Sequence, residues 1–239
     1  MNSKRPQILA VISSPNREGN SASLCRRALE GAAAAGADVE ECFLSDYRIG
    51  FCRACNQCLL TGSCPVGDDF GEVLAALRRA DGIILSSPVY GGTINARMKN
   101  LLDRLGMFEY ITSATFGGKY VAAIVTARRK GTAHKVARYL ADLPSKGVFA
   151  RAYVSGSLGA VAAPAGQPPA SEGLAAAESL GRRLAEAVQG HATFPAQGLA
   201  ARALTKLVVR PQMSAAIVSH REGFMRGVYL NLNQRGLLS

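Results

Sequence analysis

At 239 residues, with 48% hydrophobic and 19% charged side chains, the chain has the apolar material for one large packed core, which excludes wholesale disorder. No apolar run approaches the ~18 residues of a membrane span. The short run after residue 6 turns polar too soon for a secretory leader, so no membrane and a cytoplasmic address are expected. The formal charge is +11, but there is no Trp and only 6% aromatics to interleave with the basic residues, which argues against nucleic acid as a partner.

Strand-like and helix-like segments then alternate, the pattern of a parallel sheet with helices on both faces. Residues 7–13 (QILAVIS) read as a buried strand, and Asn20 or Ser21 caps a helix that runs to the Ala-rich stretch before Gly36. A second strand is expected at 39–44, a cysteine-bearing loop at 50–65, and a helix capped by Asp68 with Phe70, Val73, Leu74 and Leu77 on its apolar face. Residues 82–86 (GIILS) form the third strand, followed by a Gly-rich loop and a helix bearing Met98, Leu101, Leu102 and Leu105. Strands at 120–126 and 148–154 bracket a helix at 132–143. A Gly/Ala/Pro-rich loop at 157–169 leads into a long helix at 171–189.

Five strands of this kind fit the smaller doubly wound design, whose ligand crevice opens where the first and third strands diverge at their C-terminal ends. Residues 1–190 make up that domain. Residues 191–239 read as a C-terminal extension of two helices separated near Pro211, with six Lys/Arg against one Glu.

The turn after the first strand, Ser13-Ser14-Pro15-Asn16-Arg17-Glu18-Gly19-Asn20-Ser21-Ala22, leads straight into a helix N-terminus. Backbone N–H groups and the positive end of the helix dipole converge there on an anion. Ser14 and Ser21 add hydroxyls, and Asn16, Arg17 and Asn20 add amide or cationic donors. Neither Gly-Lys-Ser/Thr nor G-x-G-x-x-G is present, so a phosphomonoester such as that of FMN suits the loop better than ATP or a dinucleotide. An ordinary well-capped turn is the alternative. After the third strand, Pro88-Val89-Tyr90-Gly91-Gly92 offers two glycines for close backbone approach to a flat ring and a Tyr to stack on it.

Three segments carry a resemblance: Ser14-Pro15-Asn16-Arg17-Glu18-Gly19-Asn20-Ser21, then Ala80-Asp81-Gly82-Ile83-Ile84-Leu85-Ser86-Ser87-Pro88-Val89-Tyr90, then Met98-Lys99-Asn100-Leu101-Leu102-Asp103-Arg104. In this order, over about residues 7–190, the chain resembles the NAD(P)H-dependent FMN reductase family, and its iron–sulfur flavoprotein branch in particular. The resemblance implies a flavodoxin-like α/β fold. It also implies FMN held with its phosphate on the first loop (Ser14, Asn16, Arg17, Asn20, Ser21, Ala22) and its ring along Pro88, Val89, Tyr90, Gly91 and Gly92. Relatives often carry Arg where Asn16 stands, a contact that Arg17 can replace. A third loop, from Thr126 through Arg128, Arg129 and Lys130, closes on the pyrimidine end in relatives. Its cations suit reduced flavin or NADPH phosphates, or are simply solvated.

Four of the six cysteines form Cys52-x2-Cys55-x2-Cys58-x5-Cys64-Pro65. Three thiolates at intervals of three let a compact loop wrap one cubane, and the run is similar to the bacterial ferredoxin pattern apart from its last spacing. A [4Fe–4S] cluster is the leading expectation and also what the resemblance implies; structural zinc, a redox-active thiol pair and unligated cysteines remain open. Cys25 and Cys42 read as small core residues. His134, His191 and His220 fall in no catalytic constellation, and the neighbours Asp103 and Arg104 do not face each other on a helix.

The expectation is an FMN-dependent oxidoreductase that moves electrons between NAD(P)H or ferredoxin and a small-molecule or protein redox partner, as a homodimer or homotetramer. A cluster-free quinone or flavin reductase and a non-enzymatic redox sensor are its rivals.

Overall fold

A computed structural model describes residues 5–164, 166–194 and 197–238. The parallel strands are β1 (Gln7–Ile12), β2 (Asp38–Phe43), β3 (Gly82–Tyr90), β5 (Tyr120–Ala127) and β6 (Tyr153–Val161), in the order β2-β1-β3-β5-β6. A two-residue strand, β4 (Thr93–Ile94), folds back antiparallel on the end of β3. The central strands are buried on both faces, as their unbroken Ile/Val/Leu/Ala runs require.

Helices α1 (Asn20–Ala34) and α6 (Ser171–Gln189) cover one face, where Leu24, Ala28, Leu180 and Leu184 pack on Ile8, Ile12, Ile84 and Ile124. On the other face lie α3 (Phe70–Arg79), α4 (Ala96–Thr112) and α5 (Lys130–Asp142), where Val73, Leu77, Met98, Leu101 and Leu140 meet Leu9, Val11, Ile83, Leu85 and Val121. The chain therefore leaves β1 for one face and β3 for the other, which creates the expected divergence between neighbouring strands. Cys25 and Cys42 are core residues; burial pushes their thiols up to about 12 and about 11.

Several expected boundaries move. The apolar stretch at 148–154 is not the last strand: Val148 and Phe149 hydrogen-bond to Tyr110 and Ile111 and are buried against the C-terminal segment. The strand is the Ser/Gly-rich Tyr153–Val161, so the loop expected from 157 starts only after it. Pro211 breaks nothing. The helices α7 (Leu199–Leu204) and α8 (Arg210–Ser219) run on through a π-helical stretch at Thr205–Val209, whose wider winding accommodates the missing N–H. The break falls later, before α9 (Arg226–Gln234).

A third core cluster joins this extension to the sheet domain. Ile217, Val228 and Leu232 are buried against Phe108 and Ile111 of α4, against Phe149, and against Leu59 of a short helix, α2 (Gln57–Thr61), inside the cysteine loop.

Candidate functional site

Three segments meet at the C-terminal edge of the sheet, and hydrogen bonds tie them together. The Ser13 amide and hydroxyl both donate to the Ser86 carbonyl, at 3.0 and 2.9 Å, which joins the first loop to β3. The Ser21 and Thr126 hydroxyls lie 2.9 Å apart, both buried, and connect the start of α1 to the end of β5.

The first loop is shaped by its own side chains. The Asn16 amide donates to Ser14 Oγ, and Asn16 Oδ1 accepts from the Glu18 amide, an Asx-type turn. Gly19, and not Asn20 or Ser21, occupies the N-cap of α1. It supplies no capping side chain, and the first turn contains no acid. The helix thus presents its amides and the positive end of its dipole without an internal counter-charge.

Asn20 turns away from the cap to clasp the Ala163 backbone with two hydrogen bonds, at 3.2 and 3.0 Å. Ala22 is fully buried behind the turn. Arg17 pairs with Asp46 and lies 4.5 Å from the centre of the Phe43 ring, which leaves hydroxyls and amides as the loop's available donors.

The segment read as a flavin loop is a hairpin. Val89 pairs with Ile94 and Tyr90 with Thr93 across Gly91 and Gly92. These glycines have φ of +58° and +84°, and nothing lies near where a Cβ would project, so they serve the turn's handedness in this structure. Pro88 and Val89 are half-buried, and Tyr90 stands 59% exposed on the hairpin, open to a stacking partner. Beyond Thr126, Arg128, Arg129 and Lys130 are exposed.

Asn95 is a site residue that pattern reading missed. It is buried, its side chain caps α4 by accepting from the Met98 amide and donates to the Ser13 carbonyl at 2.9 Å, and its backbone N–H donates to Ser87 Oγ at 2.9 Å. One residue thereby binds the first loop, the end of β3 and α4 together. An Asn just before a helical apolar repeat was the available signal.

The cysteine loop leaves the same edge from β2. Its four thiols are free; Cys52 and Cys55 are exposed, Cys58 and Cys64 half-buried. Burial pushes the Cys58 thiol up, and Cys64, Cys52 and Cys55 add to the effect, so the four lie within electrostatic reach of one another. Among the described residues no three ligating side chains are gathered as a closed metal site. Ala54 and Asn56 flank Cys55 in the left-handed region, at φ +52° and +56°, a conformation that costs about 1–3 kcal/mol for residues other than glycine.

Below the loop, Arg104 of α4 holds Asp68 through two contacts of 2.6 and 3.0 Å, with a side chain wholly out of solvent. The same guanidinium donates to the Gly50 carbonyl and, at 3.4 Å, to Cys64 Sγ. Asp68 also accepts from the Gly50 and Phe70 amides, so it reaches the first turn of α3, although Asp69 is the N-cap. Its carboxyl falls to about 2, chiefly through Arg104, against the opposing effect of burial. Asp103 pairs with Lys99 instead.

Comparison with known proteins agrees with this geometry. The NADPH-dependent FMN reductase family matches residues 6–159. An iron–sulfur flavoprotein of Archaeoglobus fulgidus is 32% identical over 77% of this chain and 80% of its own length. One from Methanocaldococcus jannaschii is 42% identical over 41% of this chain, about half (51%) of that relative. Among solved structures, a flavone reductase superposes with a TM-score of 0.60 at 20% identity, covering 79% of this chain and 65% of that one. A WrbA-like flavodoxin from Agrobacterium tumefaciens superposes at 0.50 and 18% identity, covering 78% and 99%. These two structures establish the flavodoxin-like fold, and with it the expected five-stranded doubly wound sheet. On the extent of the family match and the likeness to the A. fulgidus protein, the chain belongs to the NADPH-dependent FMN reductase family, in its iron–sulfur flavoprotein branch.

Proposed function

We propose that the chain is an FMN-dependent oxidoreductase that passes electrons between NAD(P)H or ferredoxin and a small-molecule or protein acceptor through a [4Fe–4S] cluster. The observation that carries the FMN reading is the uncapped N-terminus of α1, its first turn free of acids, set beside the Ser21–Thr126 hydroxyl pair. Ser14, Ser21 and the amides of Asn20, Ser21 and Ala22 would hold the phosphate. The backbone from Pro88 to Gly92, with Tyr90, would lie along the ring, and Thr126 and Arg128 would face its other end. FMN supplies two-electron uptake and one-electron release, and the protein supplies position and electrostatics. Arg128, Arg129 and Lys130 add positive charge at this edge, which favours an anionic reduced ring or a phosphorylated donor.

The cysteine loop fits a cluster by the chemistry of its donors. Four free thiols stand on one strained loop, and a buried guanidinium already donates to one of the sulfurs. Cys52, Cys55, Cys58 and Cys64 would ligate it. The loop leaves β2, next to β1 and its phosphate-type turn, so both redox groups would sit on one edge of the sheet. We further propose a homodimer or homotetramer, in keeping with exposed Met107 and Tyr110 on α4.

Anaerobic purification followed by absorbance, FMN, iron and acid-labile sulfide analysis tests this reading. About one FMN and four irons per chain are expected. Flavin without iron would turn the function to a cluster-free quinone or flavin reductase, and colourless protein that does not quench FMN fluorescence would end it. NADPH or NADH oxidation in the same preparation separates an enzyme from a redox sensor.

A further inference from the structure

Arg104 is more deeply buried than an ion pair at the base of a loop requires. Its side chain has no exposed surface, it lies 4.5 Å over the Phe70 ring, and it makes contacts with Gly50, Asp68 and Cys64 at once. Gly50 begins the cysteine loop and Asp68 ends it. One guanidinium therefore closes the loop at its base, and one turn earlier on α4 Asn100 secures the preceding residue by donating to the Ile49 carbonyl at 2.8 Å.

Two observations exceed the needs of that clasp. One arm of the guanidinium is directed to a sulfur, and Arg104 Nε is buried with no hydrogen-bond partner among the described residues. A buried N–H left unpaired is destabilising, and such a group calls for an explanation. An anionic group bound by Cys64 would provide one.

We propose that Arg104 is a positioning residue for the cluster, donating an N–H to the Cys64 sulfur and placing a permanent, solvent-shielded positive charge beside it. The inference rests on the cluster reading above. Hydrogen bonds to ligating sulfurs and nearby charge are among the factors that set iron–sulfur potentials. A buried cation favours the state with one more electron, so Arg104 raises the potential and makes the centre easier to reduce. Asp68 anchors the guanidinium and offsets part of its charge.

Three measurements test this on the full chain purified anaerobically. In the Arg53→Lys variant, which lacks the loop's own arginine and keeps Arg104, labelled with ¹⁵N-guanidinium arginine, pulsed EPR of the reduced centre is expected to show a ¹⁵N coupling. Arg104→Lys retains charge but not the fork, and the pair Arg104→Met with Asp68→Leu removes both charges without leaving either unpaired. Both are expected to keep four irons, to titrate at a lower cluster potential, with the larger shift in the double variant, and to leave the FMN potential in place. Absence of the ¹⁵N coupling, or an unchanged cluster potential in iron-replete variants, overturns the inference. Should a variant come out without iron, the coupling in the labelled Arg53→Lys protein decides alone. Wild-type protein without iron or sulfide defeats the cluster reading itself, which is a separate outcome.

Discussion

Asp68 sits where a helix cap was expected, yet its main partner is 36 residues away on α4. Its carboxyl falls from an ordinary value near 3.8 to about 2, so the folded state binds its proton less tightly than the unfolded state does. Stability from this source is fully present above about pH 4 and drains away as pH falls toward 2. Asp68→Asn leaves the Arg104 guanidinium buried without its counter-charge, at a cost of about 3 kcal/mol near pH 6. Thermal melts of both proteins between pH 6 and pH 2 are expected to converge as wild-type Asp68 takes up its proton. A gap that stays constant over this range would show that the pair contributes packing and not charge.

Such residues define what the sequence could and could not disclose. The cysteine spacing and the hydroxyl-bearing turn that leads into α1 are local patterns, and each was legible; the double glycine was visible too, but its place in a hairpin turn depends on Thr93 and Ile94 folding back on β3. The partnership of Asp68 with Arg104 exists only because α4 crosses beneath the cysteine loop. For the same reason Arg17 read as a phosphate donor: its pairing with Asp46 and Phe43 depends on β2 lying beside β1.

At the scale of elements, α4 joins the two halves of the site. Asn95 at its start secures the first loop and the hairpin, while Asn100 and Arg104 secure the cysteine loop. Asn95→Ala removes a helix cap and a buried donor together, which predicts a loss of about 2 kcal/mol in denaturant unfolding. FMN binding, followed by fluorescence quenching, is expected to weaken about tenfold. Equal affinity in the variant would mean that the two loops hold their shape without this bridge. Elements also explain the misplaced last strand. Val148 and Phe149 are apolar because they face the C-terminal segment, a contact that periodicity cannot show. The true strand looks like a loop because Gly159 admits the α5 backbone, where a Cβ would come within 2.3 Å of the His134 nitrogen.

A second element contact bears on the cysteines. Helix α9 crosses α2 so closely that a Cβ on Gly227 would lie 2.2 Å from the Gly62 nitrogen. The neighbouring Leu59, Val228 and Leu232 are buried, with Cys58 packed against them. Gly227→Ala must push α9 off the cysteine loop, at about 1–3 kcal/mol. The expected result is faster proteolysis around Thr61–Cys64 and lower iron retention, with FMN content unchanged. Gly223→Ala, whose Cβ would have its nearest neighbour at 3.7 Å, is the control and should behave as wild type.

For the whole molecule the question is whether residues 191–239 form an appendage or part of the folding unit. Their charge bias and distance from the family match at 6–159 suggest an appendage, and α7, which buries no residue, looks like one. The rest does not. Ile217, Val228 and Leu232 complete a core whose other buried members, Leu59, Phe108, Ile111, Val148 and Phe149, lie within residues 1–190, and Arg235 donates to the Thr112 carbonyl. A shared core predicts one cooperative transition. Ile217→Ala opens a cavity in that core and is expected to lower global stability by about 2–5 kcal/mol, shifting the entire calorimetric peak. Gln212→Ala, exposed on the same helix, should change it by no more than about 0.5 kcal/mol. An independent extension would behave otherwise: Ile217→Ala would split off a small low-temperature transition and leave the main peak where it was. That result would detach α8 and α9 from the sheet and remove the support they give the cysteine loop.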